Sequence, residues 1–188
     1  MGTIYVFLAD GFEDIEALAT VDILRRAGQD VVTVSIMADK QVMSTHGVCV
    51  TADRHFNNLD FSDALMLILP GGLPGSTNLR DYKPLQELLL KHNAEGKLIA
   101  AICAAPMALG NLGLLKGKKA TCYPGCENTM TGAQYTRELC TVDGNIITGE
   151  GPAAAFPFAY TILDILGADD AAEQLKEGMM YNHLLARR

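Results

Sequence analysis

The sequence has few basic residues: Lys and Arg number 15 against 22 Asp and Glu, which gives a formal net charge of −7. An acidic surface repels phosphate backbones, so we expect no nucleic-acid partner. The N-terminus lacks a basic segment followed by an apolar run, so we expect no secretory signal peptide. No apolar run approaches the roughly 20 residues of a membrane span, and we therefore expect no membrane partner either.

Cysteine is present but forms no CxxC pair, and its count of five is odd. This pattern argues against a disulfide framework and against a zinc knuckle. The four histidines show no HExxH-type metal spacing, so the sequence predicts neither a metal nor another cofactor. We accordingly expect a reducing, cytoplasmic location. The five residues are Cys49, Cys103, Cys122, Cys126 and Cys140.

The composition is that of an ordinary globular protein. Of the 188 residues, 49% are hydrophobic and 20% are charged, which excludes collagen-like, coiled-coil and disordered classes. The length fits one large domain, and no linker, repeat or low-complexity segment interrupts the chain. We predict a single domain over residues 1–188.

Strand and helix patterns alternate along the chain. Thr3–Leu8 is a continuous apolar stretch, Glu13–Ala27 contains no Gly or Pro, and Asp30–Ser35 is again β-branched. This opening βαβ unit, repeated downstream, predicts a doubly wound, mostly parallel α/β sheet. The further predicted elements are a β-hairpin excursion over Gln41–Asp53, strands over Leu65–Leu69, Lys97–Ile102, Ala120–Cys122, Leu139–Val142 and Asn145–Thr148, and helices over Asp81–Glu95, Ala104–Leu114, Ala153–Leu166 and Ala171–Leu185.

Cys103 stands where a buried strand runs directly into a helix. In open α/β sheets this is the edge at which ligands bind. Unpaired N–H groups and the helix dipole at such a turn predict a lowered thiol pKa, and a sharp strand-to-helix turn is typical of nucleophile elbows. The alternative is that Cys103 is an inert core residue, since free cysteines are usually buried.

Two glycines follow the preceding predicted strand, in Pro70-Gly71-Gly72. Glycines there allow close backbone approach and can point amides into a concavity, as an oxyanion hole requires. The alternative is an ordinary turn. The oxyanion-hole interpretation is favoured because the two glycines lie at the same predicted sheet edge as Cys103.

Glu16 lies near the start of the first predicted helix. Its neighbours on the same helical face are Phe12, Thr20 and Ile23, none of them cationic. Such surroundings desolvate a carboxyl group, raise its pKa and let it donate a proton. The alternative is that Glu16 serves only to stabilise the helix dipole.

Four motifs together resemble the ThiJ/PfpI superfamily, a class I glutamine amidotransferase-like group that contains the parkinsonism-associated protein and its bacterial relatives. They are DGFEDIEALATVDILRRAG near the N-terminus, LPGG at 69–72, AICAAP at 101–106 and TGEGPAAAF at 148–156. The resemblance covers nearly the whole chain. It implies a flavodoxin-like fold, a homodimer and chemistry without a cofactor.

The resemblance also implies roles for individual residues. The family's elbow cysteine corresponds to Cys103, and the acid that contacts its thiol corresponds to Glu16. Oxyanion-type amides correspond to Gly71, Gly72 and Ala104. Both side chains of the implied catalytic pair are thus present.

Three further residues correspond to polar positions near the family's pocket and dimer interface: Arg26, His46 and Tyr123. Protease-like members have a histidine directly after the cysteine, where this chain has Ala104. Several relatives also have a histidine at the position of Tyr123. Peptidase activity is therefore not expected, and a Tyr hydroxyl or the acid would have to move protons.

The implied function is a glyoxalase- or deglycase-like reaction on small reactive carbonyl compounds. The thiolate of Cys103 would add to an aldehyde to form a hemithioacetal, with Glu16 shuttling the proton. Two alternatives stay open: a non-enzymatic redox sensor or chaperone of the oxidative stress response, in which oxidation of Cys103 is the decisive event, and a role in thiamine (thiazole phosphate) biosynthesis.

Overall fold

The computed structural model describes residues 2–187. Its centre is a seven-stranded sheet with the order β10-β11-β7-β6-β1-β2-β5, parallel except for β10. The strands are β1 (Thr3–Leu8), β2 (Val31–Ser35), β3 (Gln41–Met43), β4 (Cys49–Thr51), β5 (Arg54–His55), β6 (Ala64–Leu69), β7 (Leu98–Ile102), β8 (Lys119–Ala120), β9 (Gln134–Tyr135), β10 (Cys140–Asp143) and β11 (Ile146–Gly149).

Helices cover both faces of the sheet. They are α1 (Asp14–Arg26), α2 (Gly75–Asp81), α3 (Lys83–Ala94), α4 (Pro106–Asn111), α5 (Ala155–Ile165), α6 (Asp169–Gly178) and α7 (Tyr181–Leu185). On one face α1 packs against α5, with α6 and α7 following outward, while α2, α3 and α4 cover the other face. No helix among the described residues is long and apolar enough to cross a membrane.

Strand β1 shows why its sequence is almost entirely apolar. Ile4, Val6 and Leu8 belong to the core under α1 and α5, whereas Tyr5 and Phe7 belong to the core on the opposite face. Successive side chains of a strand alternate between faces, so a strand covered on both sides is apolar at nearly every position. The predicted doubly wound, flavodoxin-like α/β fold is confirmed.

The topology creates a crevice at the carboxyl edge of the sheet. From β1 the chain first crosses to β2 on one side, and β6 and β7 are then added on the other side. Ligands bind in open α/β sheets where the strand order reverses in this way. The segments that leave β1, β6 and β7 therefore surround one crevice, and they carry Glu16, the glycine turn and Cys103.

The predicted hairpin excursion is confirmed as β3 paired antiparallel with β4. It is fastened to the segment before α1. The N–H of Gly11 donates to the Met43 carbonyl at 2.7 Å, and the N–H of Met43 donates to Asp10 Oδ1 at 2.8 Å. The N–H of Thr45 donates to the Phe12 carbonyl at 2.8 Å. The hairpin turn consequently lies against the N-terminus of α1.

The last helix differs from the prediction of one helix over Ala171–Leu185. The chain forms α6, breaks at Met180 with a φ of +61° and resumes as α7. The break brings the ring of Tyr181 within 6.1 Å of Phe156 and 5.1 Å of Tyr160. Aromatic packing on α5 thus outweighs helix continuity here.

Other differences concern short elements. The strand predicted over Ala120–Cys122 is only β8, which pairs with β9 outside the main sheet. The next residue, Thr121, donates its N–H to the side chain of Thr148 on β11 at 2.9 Å. The two-residue strands β5 and β9 were not predicted, since so few residues carry no periodic signal. Helix α2 was missed as well, because its N-terminus is a Pro-Gly pair that is typical of turns.

Candidate active site

Cys103 occupies a strained turn between β7 and α4. Its φ is +65°, a left-handed conformation that costs a non-glycine residue about 1–3 kcal/mol. Backbone hydrogen bonds fix the turn from two sides. The N–H of Cys103 donates to the Gly149 carbonyl at 2.9 Å, and its own carbonyl accepts the N–H of Tyr123 at 2.9 Å. The structure thus places Cys103 at an elbow, and the residue is 8% exposed.

Glu16 reaches the same crevice from the first turn of α1. Glu13 caps this helix, its Oε2 accepting the N–H of Glu16 at 2.8 Å. The Glu16 residue is only 1% exposed, and its Oε2 accepts the N–H of Gly71 at 2.9 Å. The carboxyl group therefore bridges α1 and the turn after β6.

Burial governs the protonation of Glu16. It raises the pKa of this carboxyl from 4.5 to about 7, and the charge of Glu13 adds to the rise. Hydrogen bonds with the Cys103 thiol and the Gly71 amide act in the opposite direction. The expectation of a desolvated carboxyl at position 16 is confirmed, and the group can exchange protons near neutral pH.

The thiol of Cys103 responds to the same surroundings. Burial raises its pKa, and the charge of Glu16 and a hydrogen bond with it raise it further, whereas the amides of Gly72 and Ala104 lower it. The expected lowered thiol pKa is therefore wrong, since burial alone already raises it. Transfer of the thiol proton to Glu16 removes that opposing charge, so the two side chains form a coupled pair that shares one proton.

Both glycines of the turn after β6 are required by close contacts. A Cβ on Gly71 would collide with Glu16 Oε2 and with Cys103 Cβ, so this residue separates the two reactive side chains. Gly72 has a φ of +89° and lies against the backbone of Gly11 and Glu13. Only glycine combines that conformation with that proximity.

The two glycine amides have different roles. The N–H of Gly72, like that of Ala104, is directed at the Cys103 sulfur. The N–H of Gly71 instead donates to Glu16, so it is not a free oxyanion donor and the implied role of Gly71 needs correction. Gly71 positions the acid, while Gly72 and Ala104 offer the amide pair.

A cavity of about 260 Å³ lies beside Tyr123, the residue whose N–H donates to the Cys103 carbonyl. Tyr123 borders it with a ring that is half exposed and lies beside Gly151. Glu150 contributes the carboxylate among the cavity residues, and Gly149 next to it anchors the Cys103 amide. The cavity is lined by Tyr123, Pro124, Glu150, Gly151, Pro152, Ala153 and Ala154.

Arg26 and His46 do not join Cys103 within the described chain. Arg26 ends α1, about 15 Å along the helix axis from Glu16, and pairs with Asp22 at 2.7 Å. His46 lies in the hairpin turn, where its Nδ1 is 3.1 Å from Asp14 Oδ2. The resemblance implies that both residues lie near the pocket, but neither of them reaches Cys103 of its own chain.

The sequence reasoning missed two acidic residues of the site. Glu13 was given no part in the predicted site, yet it caps α1 and raises the pKa of Glu16. Its three-residue spacing from Glu16 is the available signal, because a capping side chain bonds the N–H three positions on. Glu150 gave no signal of its own, since only the folded sheet edge brings it to the cavity beside Tyr123.

The model of the DJ-1/PfpI family matches residues 2–165. The chain belongs to the DJ-1/PfpI family. The match includes Glu16, the glycine turn and Cys103. It leaves α6 and α7 outside.

Individual members of the DJ-1/PfpI family agree with this assignment. Protein DJ-1 homolog B of Arabidopsis thaliana is 39% identical over 169 residues, covering 88% of this chain but only 39% of the plant protein. The Parkinson disease protein 7 homolog of Danio rerio is 34% identical, with 91% and 93% covered. Oxidized DJ-1 of Toxoplasma gondii superposes with a TM-score of 0.91 at 34% identity, covering 96% and 98%. The chain thus spans less than half of that plant relative.

Proposed function

We propose that this DJ-1/PfpI family protein is a cysteine-dependent protective enzyme that converts small reactive dicarbonyl compounds without a cofactor. The observation that carries the proposal is the coupling of Glu16 to the elbow thiol of Cys103, with the Gly72 and Ala104 amides directed at the sulfur. A nucleophile, a proton carrier and an oxyanion site are the parts that carbonyl addition needs.

In the first step the thiol proton passes to Glu16 and the sulfur adds to the aldehyde carbon of a 2-oxoaldehyde. A carbon–sulfur bond forms, and the carbonyl π electrons move to oxygen. The amides of Gly72 and Ala104 stabilise this oxyanion until Glu16 returns the proton, which gives a hemithioacetal.

In the second step the Glu16 carboxylate removes the proton from the carbon bonded to sulfur and returns it to the neighbouring carbon. The hydroxyl proton of the hemithioacetal passes to the oxygen on that neighbouring carbon. The hemithioacetal becomes the thioester of a 2-hydroxy acid by internal oxidation and reduction, so no external redox partner is required. Water then adds to the thioester, Glu16 accepts its proton, and Cys103 leaves as the thiolate. The sum is dicarbonyl plus water giving a 2-hydroxy acid.

The experiment measures methylglyoxal consumption together with the product. Wild type should form the 2-hydroxy acid over many turnovers, and Cys103→Ala should form none. Cys49→Ala is the matched control, because Cys49 is an exposed thiol away from the elbow and its loss should leave turnover intact. Equal product formation by wild type and Cys103→Ala would overturn the proposal.

A redox-sensing function is the second candidate, and the same amide pair favours it. Two equivalents of a peroxide would convert the Cys103 thiolate to a sulfinate and release two equivalents of water or alcohol. The Gly72 and Ala104 amides and a protonated Glu16 would then bond the sulfinate oxygens. Peroxide oxidation confined to Cys103 in a protein that does not turn over dicarbonyls would select this function.

The site gives no support to a peptidase function. Within residues 2–187 the hydrogen bonds of histidine rings go to Asp14, to the Met37 carbonyl, to the Leu98 carbonyl and from the Asn57 amide, and none goes to Cys103. A thiol–imidazole pair, which cysteine peptidases use to activate sulfur, is thus missing from the described site.

We also propose that the protein acts as a homodimer. Five exposed apolar side chains come from α1, the hairpin and the turn after β6, and hydrogen bonds join these segments. Several exposed apolar side chains on joined segments favour an interface, and two-fold symmetry is the commonest solution. The apolar interface patch consists of Ile15, Leu18, Met43, Val48 and Leu73.

A further inference from the structure

Glu16 has a polar neighbour on α1 whose hydroxyl group the site described above does not use. Thr20 follows Glu16 by four positions, so the two side chains lie on the same face of the helix. Both residues are 1% exposed, whereas Ile15 and Leu18 of the apolar interface patch are exposed. The face that carries Glu16 and Thr20 is therefore turned into the core of its own chain and away from a partner subunit.

Each of these two side chains has a buried oxygen that no described residue bonds. Glu16 Oε2 accepts the N–H of Gly71 at 2.9 Å, whereas Glu16 Oε1 is buried without a hydrogen-bond partner in residues 2–187. Thr20 Oγ1 is likewise buried without a partner in this part of the chain. Buried polar atoms are nearly always hydrogen-bonded, so two such oxygens one helical turn apart are natural partners for each other.

The elbow lies on the other side of the carboxyl group. A Cβ on Gly71 would collide with both Glu16 Oε2 and Cys103 Cβ, so Oε2 is the oxygen that lies towards the thiol. The Gly71 amide bonds the same oxygen. Oε1 is thus left for a partner from within the helix.

Helix geometry puts Thr20 within reach of Glu16 Oε1. Cβ atoms four positions apart on a helix are separated by about 5–6 Å, and helical side chains lean towards the N-terminus, so the Thr20 side chain lies over the turn that carries Glu16. A helical threonine hydroxyl often bonds a main-chain carbonyl one turn back, but among residues 2–187 the Thr20 hydroxyl has no such bond. Rotation about its Cα–Cβ bond can therefore bring the hydroxyl to the carboxyl group.

A hydroxyl is the group that a proton carrier needs at this position. Glu16 exchanges its proton near neutral pH, because burial raises its pKa to about 7. Its Oε1 must therefore be satisfied both in the carboxylic acid and in the carboxylate. A hydroxyl can accept a hydrogen bond from the acid and donate one to the carboxylate by turning its O–H bond, whereas a backbone amide can only donate.

The other groups around Glu16 leave room for a large effect of one more donor. The titratable groups that act on it are Glu13 on α1, which raises its pKa, and the Cys103 thiol after β7, which bonds it. The turn after β6 contributes the Gly71 amide, and within residues 2–187 no charged group of β1 or α5 acts on this carboxyl. A donor on Oε1 would therefore decide how easily Glu16 ionises.

We propose that Thr20 is a positioning residue, which donates a hydrogen bond from its hydroxyl to Glu16 Oε1 when that carboxyl group is ionised. The bond stabilises the carboxylate in its place beside the thiol, so Glu16 releases its proton as well as taking it up. The inference concerns the acid–thiol pair on which the proposed function rests. Ionisation of Glu16 is nevertheless measurable without any turnover.

The test is a double-mutant cycle of Thr20→Val and Glu16→Gln, with thermal unfolding at about pH 5 and about pH 8. Val has nearly the shape of Thr but lacks the hydroxyl, so Thr20→Val should raise the pKa of Glu16 by about one further unit. More stability is then lost as the pH rises, and Thr20→Val should lower Tm by about 2–4 °C more at about pH 8 than at about pH 5. In the Glu16→Gln background the Tm loss should be equal at both pH values, because no carboxyl group ionises at position 16.

Three further variants separate the hydroxyl from the shape of the side chain. Thr20→Ser keeps the hydroxyl and should retain the pH dependence of wild type. Thr20→Ala repeats the cycle with a side chain too small to strain the core. Thr141→Val is the matched control, because the buried Thr141 hydroxyl is hydrogen-bonded to the uncharged Thr136, and its Tm loss should not change with pH.

A Tm loss in Thr20→Val and Thr20→Ala that is the same at both pH values would overturn the proposal, as would a Thr20→Ser protein that behaves like Thr20→Val. If wild type turns over dicarbonyls, the rising limb of its pH profile should move up by about one unit in Thr20→Val. An inactive wild type would contradict the proposed function alone, because the unfolding cycle still decides the role of Thr20.

Discussion

Replacing Glu16 by Gln should stabilise the protein, and the gain should grow with pH. The Glu16 carboxyl is buried, and its pKa rises from 4.5 to about 7 on folding. The folded state therefore holds a proton that the unfolded state releases. Stability from this proton is fully present below about pH 4.5 and is lost as the pH rises through 7. Gln carries no charge at any of these values and keeps an oxygen for the Gly71 amide.

The size of the effect follows from the two pKa values. One pH unit corresponds to about 1.36 kcal/mol, so ionising Glu16 in the folded protein costs about 3.4 kcal/mol at about pH 8 and about 0.8 kcal/mol at about pH 5. In a chain of this length 1 kcal/mol shifts Tm by about 2–4 °C. The Tm advantage of Glu16→Gln should therefore grow by roughly 5–10 °C between these conditions.

The assay is thermal unfolding of wild type and Glu16→Gln across this pH range. Glu138→Gln is the matched control, because Glu138 is exposed and its replacement should give a curve parallel to that of wild type. The same Glu16→Gln protein should lose dicarbonyl turnover, since Gln cannot carry a proton. A constant Tm difference between Glu16→Gln and wild type at every pH would refute a buried, proton-holding carboxyl.

Gly71→Ala should lower Tm by about 2–12 °C and abolish turnover, because the new methyl group overpacks the gap between acid and thiol. Gly178→Ala adds its Cβ in open space and should leave Tm unchanged. Equal unfolding curves for Gly71→Ala and Gly178→Ala would contradict the close contact of Gly71 with Glu16 and Cys103. Asp53→Asn should cost about 1 kcal/mol in urea unfolding at neutral pH, because hydrogen bonds from Thr33 and the charge of Arg25 outweigh burial and lower the pKa of Asp53. This cost should shrink as the pH falls below the ordinary aspartate value and the carboxyl of the folded protein protonates. Leu18→Asp should shift sedimentation from dimer to monomer whereas Leu90→Asp, exposed on α3, should not; a dimer that survives Leu18→Asp would remove α1 from the interface.

The sheet was predictable because its buried strands are rich in apolar residues, and the sequence shows this directly. Strand β1 is buried at every position, and the Asp143-Gly144 pair marks the β10–β11 hairpin, which the structure forms with Asp143 opposite Ile146. Elements whose formation depends on distant partners were not predictable. Strand β9 exists only through its pairing with β8, and α7 begins where Tyr181 meets the aromatic rings of α5.

The central residues of the candidate site were predictable, whereas its electrostatics were not. Cys103, Glu16 and the glycine turn follow strands that end at one edge, so chain order alone brings them together. The thiol pKa is raised by burial of the sulfur and by Glu16 at contact distance, and neither can be read from the sequence. The separate use of the Gly71 amide likewise depends on where the carboxyl oxygen lies.

Several features of the site lower the stability of the folded protein, and the surrounding structure must offset these free-energy costs. The left-handed turn at Cys103 costs about 1–3 kcal/mol. The buried carboxylate of Glu16 costs about 3.4 kcal/mol in addition at about pH 8. The sum of the two costs approaches the net free energy of unfolding of many domains. The strain persists because strand β11 and the Tyr123 segment each hold the Cys103 backbone by a hydrogen bond, while Gly71 holds the acid. Protons stay exchangeable between Glu16 and Cys103 because neither side chain is satisfied as an anion beside the other, so the reactivity and the instability of this site have the same physical source.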